Sequence, residues 1–106
     1  MIFDLAQPQM VRGRVMVPLR GVFEKIGATI EWFPAKNLVK ATRGGTTIEC
    51  WIGKKFAAVD GDQTPLDVPA MILSGRTLVP LRFFSEALGA RVSWNAGTWT
   101  VGLDIN

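Results

Sequence analysis

Gly75-Arg-Thr-Leu-Val-Pro-Leu-Arg-Phe-Phe-Ser-Glu-Ala-Leu-Gly-Ala-Arg-Val-Ser-Trp94 repeats, without a gap, the pattern of Gly13-Arg-Val-Met-Val-Pro-Leu-Arg-Gly-Val-Phe-Glu-Lys-Ile-Gly-Ala-Thr-Ile-Glu-Trp32. The two stretches start 62 residues apart (13 to 75), and ten of their twenty positions are identical. Self-similarity at a fixed offset is the mark of an internal duplication. It extends upstream, because Phe3-Asp4-Leu5 aligns with Leu66-Asp67-Val68 after one inserted residue. One domain built of two units, about 3–54 and 55–106, is expected.

Each copy carries its own punctuation. Residues 14–17 and 76–79 read as short strands that end at proline, and Pro18 and Pro80 suit the first position of a helix, where a missing N–H costs nothing. Leu19, Val22, Phe23 and Ile26 then follow the i, i+3, i+4, i+7 spacing of one helical face, and Leu81, Phe84 and Leu88 repeat it. Gly27 and Gly89 stop the two helices, glycine being the residue that most easily takes the left-handed turn there. Helices this short are below the ~12 residues that an isolated helix needs, so packing must hold them.

Beyond each glycine the period changes to two. Ala28, Ile30 and Trp32 alternate with Thr29 and Glu31, and Ala90, Val92 and Trp94 alternate with Arg91 and Ser93. This is a strand with one buried face, and it points both tryptophans inward. Turn residues 34–37 and 95–97 lead into second strands over 38–42 and 98–103. Gly44-Gly45 turns the chain into 46–52, where Ile48, Cys50 and Ile52 share a face opposite Thr47, Glu49 and Trp51. Asp60-Gly61-Asp62 marks a tight hairpin between 56–59 and 63–66 that joins the copies. The expected class is α+β: two strand-helix-hairpin units sharing one core, with antiparallel sheet wrapped around short helices. Neither unit has enough strands to stand alone.

Composition narrows the chemistry. At 106 residues with 48% hydrophobic and 20% charged residues the chain has a globular balance and can bury ~65% of its unfolded surface. No apolar run approaches the ~20 residues of a membrane span, and the first residues lack the basic start of a signal peptide. The net charge of +3 is scattered instead of clustered, which is a weak argument for nucleic acid as a partner. Cys50 is the single cysteine, so no intrachain disulfide and no multi-cysteine metal site can form, and it reads as a small buried apolar residue. With no histidine and no tyrosine, the chain lacks the commonest general base, the commonest transition-metal ligand and any redox phenol. There is no phosphate loop or dinucleotide glycine fingerprint. Asp60 and Asp62 fall far short of the six or more oxygens of a calcium loop. No catalytic residue and no cofactor are expected.

The duplicated stretch, preceded by Val59-Asp-Gly-Asp62 and Pro69-Ala-Met-Ile72, resembles the N-terminal stalk domain of copper amine oxidases, a module also attached to many bacterial cell-envelope proteins. The resemblance covers roughly the whole chain, with Gly21 and the 95–97 turn as departures. It implies an α+β fold and a non-catalytic role in an exported or cell-surface protein, whose leader is then expected to have been removed from this sequence. It does not imply amine oxidation. In those enzymes copper is held by histidines and the quinone cofactor is made from a tyrosine of the separate catalytic domain, and this chain has neither residue type.

Two sets of residues compete for a local function. Arg20 with Glu24, and Arg82 with Glu86, fall four apart on the helices. Arginine in a first turn opposes the helix dipole, so the placement has another cause. Either the pairs form an anion or partner site, or each guanidinium donates to the neighbouring strand and locks helix to sheet, in which case Arg82→Lys destabilises more than an ordinary surface change. The structural motif is then Pro18, Arg20, Glu24, Gly27 and Trp32 with Pro80, Arg82, Glu86, Gly89 and Trp94. Among the tryptophans, Trp99 shares a face with Val101, Leu103 and Ile105. Trp51 alternates with Thr47 and Glu49 and is the candidate exposed aromatic, flanked by Arg43 or Lys54; contact with a ligand, a covering loop or a second subunit all fit.

The leading expectation is a structural or interaction module, spacing or joining domains of its parent protein or self-associating, with edge strand 46–52 as a contact surface. The alternative is a carbohydrate or peptidoglycan module built on Trp51. Nucleic-acid binding through the basic surplus ranks third.

Overall fold

The computed structural model describes residues 2–4, 9–95, 97 and 100–105, with side chains over 9–91. In chain order the elements are β1 (Ile2–Asp4), β2 (Gln9–Val11), β3 (Arg14–Pro18), α1 (Leu19–Val22), a 3-10 turn (Glu24–Ile26), β4 (Thr29–Phe33), a second 3-10 turn (Pro34–Lys36), β5 (Leu38–Arg43) and β6 (Thr46–Trp51). There follow β7 (Phe56–Val59), β8 (Asp62–Pro65), β9 (Met71–Leu73), β10 (Arg76–Pro80), α2 (Leu81–Ala87), β11 (Ala90–Asn95) and β12 (Thr100–Ile105).

The class is α+β, but the strands do not form one wrapping sheet. Three antiparallel sheets form, ordered β1-β12-β11, β2-β3-β10-β9 and β4-β5-β6-β7-β8. So β6 is the central strand of its sheet and not the edge strand expected for 46–52, being paired on both sides by β5 and β7. In the four-stranded sheet Val17 lies opposite Val79, flanked by Met16 opposite Pro80 and Pro18 opposite Leu78. Its outer strands are hairpins with two-residue turns, Arg12-Gly13 and Ser74-Gly75, all four residues at positive φ. Such turns match the twist of the strands they join. Asp60-Gly61 makes the same kind of turn between β7 and β8, at φ 51° and 88°. Pro65 falls on edge strand β8, where its missing N–H breaks no ladder.

The second helix forms as its spacing predicts, with Pro80 at φ −62° one position earlier than expected, as the cap and strand end. The first does not. Arg20 has extended ψ (175°) and Gly21 has φ 70°, so the chain kinks after Leu19 and resumes as a single 3-10 turn before Gly27. The cause is local: glycine stands where the second stretch has Phe83, and it accepts a backbone that side-chain-bearing residues avoid. The apolar pattern survives the break, because Leu19, Val22, Phe23 and Ile26 are all buried.

These four residues, Leu81, Phe84 and Leu88 from α2 and its C-terminus, and Val39, Ala41, Ile48, Cys50 and Ala57 from the five-stranded sheet form one core with Val17 and Val79. Phe23 and Phe84 meet at its centre, ring centroids 5.7 Å apart. Fully burying a side chain of this kind stabilises by roughly 1.5–3 kcal/mol, which is how helices too short to persist alone are held. Met16, Leu78 and Val68 form a smaller cluster on the other face of the four-stranded sheet.

Candidate functional site

The five-stranded sheet buries one face and leaves the other outward. Across the outward face the register aligns Phe33 with Leu38, Leu38 with Trp51, and Phe56 with Pro65. Trp51 and Phe56 close the row, their rings 5.5 Å apart and tilted by 40°. A row of aromatic and apolar side chains thus crosses all five strands. Beside it runs a row in which Glu31 faces Lys40 and Lys40 faces Glu49, interrupted by the buried Ala58, which lies between Glu49 and Gln63. Trp51 itself is half-buried, covered on one side by Phe56, and Phe33 is 36% exposed.

Of the residues grouped with Trp51 from sequence, Glu49 shares its face and Lys54 follows it, exposed, with its N–H donating to the Trp51 carbonyl at 3.1 Å. Arg43 is not part of the group. It lies at the opposite end of the β5–β6 ladder, paired with Thr46 while Leu38 pairs with Trp51, and it faces inward with Val39 and Ala41. Its Nε donates to the Ile26 carbonyl at 3.0 Å and its Nη1 to the Leu88 carbonyl at 2.6 Å. One guanidinium fork therefore joins the ends of both helical segments to the sheet.

The Arg-Glu pairs fare differently from one another. Arg82 and Glu86 come within 3.9 Å on α2, both well exposed, so the pair is worth about 0–1 kcal/mol. The kink removes the helical relation between Arg20 and Glu24, and Glu24 Oε1 instead accepts a long bond from the Gly21 N–H at 3.4 Å. The lock between helix and sheet is made by Arg43, not by Arg20 or Arg82, because only Arg43 starts from the inner face of the sheet.

Two surface grooves flank the four-stranded sheet. One, about 560 Å³, is lined by Gly13, Arg14, Pro80, Arg82, Phe83 and Glu86 among others. The second, about 550 Å³, is lined by Gly75, Arg76, Pro18, Arg20, Gly21 and Trp32 among others. Apart from Glu86 and Trp32, these residues occupy aligned positions of the two quoted stretches. Their electrostatics differ. In the first groove Asp67 accepts from Nε and Nη2 of Arg14, and Arg82 has Glu86. In the second, Arg20 and Arg76 are exposed and have no hydrogen-bond or ion-pair partner among the described residues. Sequence reasoning missed Arg76 and Trp32 as groove residues, since neither motif nor period tells which loops converge. The side chain of Trp94, and Trp99 altogether, lie outside the described residues.

Chemistry of the catalytic kind has little to work with. Among the described residues no three His, Cys, Asp or Glu side chains cluster as metal ligands, and Asp60 is engaged in its turn, Oδ1 accepting from the Thr47 N–H at 2.8 Å. Cys50 is fully buried, and burial raises its thiol pKa from 9.0 to about 11 against the lowering effect of a backbone hydrogen bond with Ala70. A thiol held neutral is a poor nucleophile. Among the described residues no helix is long and apolar enough to cross a membrane.

No curated protein matches the sequence. The family model described as the copper amine oxidase N-terminal domain matches residues 3–103, a span that takes in both quoted stretches and the hairpin between them. With that match over nearly the whole length, the chain belongs to the copper amine oxidase N-terminal domain family, a non-catalytic, stalk-like module.

Proposed function

We propose that this stalk-like module acts as a spacer and contact element of an exported or cell-surface bacterial protein, and that it makes its contacts through the outward face of the five-stranded sheet. The observation that carries the proposal is the row Phe33, Trp51, Phe56 and Pro65, with the buried Leu38 among them, which places adjoining aromatic rings on a sheet face that also bears Glu31, Lys40, Glu49 and Gln63. Contact surfaces are enriched in such rings, with charged residues around them. Glu49 and Lys54 are the rim beside Trp51. The partner is a neighbouring domain of the parent protein, since contacts between domains of one chain are of such mixed polarity.

The module is one domain of two copies, about 3–54 and 55–106, sharing a core. Val17 opposite Val79 supports this: the aligned residues of the two stretches face each other, and their neighbours pair crosswise about them. A photo-crosslinking residue placed at Gln63, exposed on the outward face, is expected to capture a neighbouring domain in the full-length parent protein. The product should fade when Trp51 is changed to alanine. Equal capture from Glu24, away from this face, would overturn the proposal.

A further inference from the structure

The groove over Trp32 is built for an anion with a flat apolar face, and we infer that it binds a carboxylate-bearing sugar ring of an acidic glycan. Ile30 and Val39 line its floor beside the half-buried Trp32, and Arg20 and Arg76 line its rim. Both guanidinium groups lack any partner among the described residues, whereas their aligned counterparts Arg82 and Arg14 are paired with Glu86 and Asp67. Gly21 stands in the aligned place of Phe83, so the two grooves, similar in volume, differ in lining as well as in charge. A volume of about 550 Å³ falls within the ~300–1,000 Å³ typical of small-ligand sites.

The identity of the occupant follows from which groups the rim offers. Arginine donates and cannot accept, and its fork matches a carboxylate with two parallel bonds. Among the described residues no Asp, Glu, Asn or Gln lines the groove, and Thr77 supplies the one side-chain oxygen. For the N–H donors of a peptide strand the described side chains of the groove offer only the Thr77 oxygen. A neutral sugar would leave two cations without a counter-charge. A carboxylated pyranose supplies acceptors to the rim and the C–H face of its ring to the indole.

Calorimetric titration of the chain at low salt with trigalacturonic acid, maltotriose and an acetylated hexapeptide with a free carboxylate tests the inference. Saturable binding of the acidic trisaccharide alone is expected, with the indole N–H signal of Trp32 shifting in nitrogen-proton spectra. The double variant Arg20→Gln, Arg76→Gln should bind about tenfold more weakly or worse, as loss of two charge-assisted contacts implies. Both arginines are exposed and unpaired among the described residues, so the variant is expected to melt with the parent. Absence of saturable binding, an unmoved Trp32 signal, undiminished affinity in the double variant, or equal affinity for the neutral sugar or the peptide would each overturn it.

Discussion

Arg43 Nη1 donates a 2.6 Å hydrogen bond to the carbonyl of Leu88, and the same side chain donates from Nε to the carbonyl of Ile26 at 3.0 Å. Ile26 and Leu88 occupy aligned positions in the two quoted stretches, each just before the glycine that ends its helical segment. Carbonyls at such ends have no partner within the helix and carry the negative end of its dipole. A cation there satisfies both needs. Arg43 is therefore a tie between the halves of the chain, and its attachment to the inner face of β5 makes the five-stranded sheet the common support.

Replacing Arg43 by lysine keeps the charge but loses the fork, so one ammonium must serve two carbonyls approached from different directions. Chemical denaturation is expected to show a loss of about 1–3 kcal/mol. Arg82→Lys, on the exposed face of α2, should fall within about 0.5 kcal/mol of the parent. Equal losses for the two variants would mean that Arg43 is not the tie.

Gly21 is the residue that breaks the first helix. Its φ of 70° with ψ of −39° lies in a region that L-residues enter only under strain, although a Cβ there would meet nothing within 4 Å. Gly21→Ala is thus a test of backbone strain without steric clash. A loss of about 1–3 kcal/mol in denaturant melts is expected. An alanine variant as stable as the parent would show that the chain can straighten into the helix that the spacing of Leu19, Val22, Phe23 and Ile26 suggests.

That contrast explains what sequence conveys here and what it withholds. The strands β4, β5 and β6 were legible because alternation of residues such as Ile30, Trp32, Ile48 and Cys50 reports burial of one face, which is local information. So were the Asp60-Gly61 turn and the stops at Gly27 and Gly89. The first helix was overpredicted because apolar spacing outweighed a single glycine, and both the broken and the unbroken chain bury the same four residues. The turns at Arg12-Gly13 and Ser74-Gly75 carried the residue-glycine signal of a hairpin, but the segments they join are only three to five residues long. The partition into three sheets and the target of Arg43 depend on residues 17 and 45 positions away, which no local pattern encodes.

Ser85 is fully buried in α2 and its Oγ has no hydrogen-bond partner among the described residues. The aligned residue is Phe23, whose ring packs against Phe84, so this position faces the core in both halves. A buried hydroxyl left unpaired costs about 1–3 kcal/mol, and alanine is also the better helix former. Ser85→Ala is expected to raise stability by about 1 kcal/mol, read as a later midpoint in urea. A loss instead would reveal that the hydroxyl contributes a favourable contact.

Cys50 gives the chain a built-in alkaline weakness. Burial raises its pKa from 9.0 to about 11, so between those values the folded thiol keeps its proton while the unfolded one releases it. The unfolded state then binds fewer protons, and stability falls as pH rises. The contribution is fully present below pH 9, is lost progressively up to pH 11 and then levels off, amounting to roughly 2–3 kcal/mol over the window. Lysines also titrate in this range, so the informative quantity is the difference between the parent and Cys50→Ala, with urea midpoints followed from pH 8 to pH 11 under reducing conditions. The parent should lose stability more steeply than the variant above pH 9. Parallel curves would show that the thiol ionises as readily in the folded chain as in the unfolded one, and that the core around Ala57 and Ala70 admits water to it.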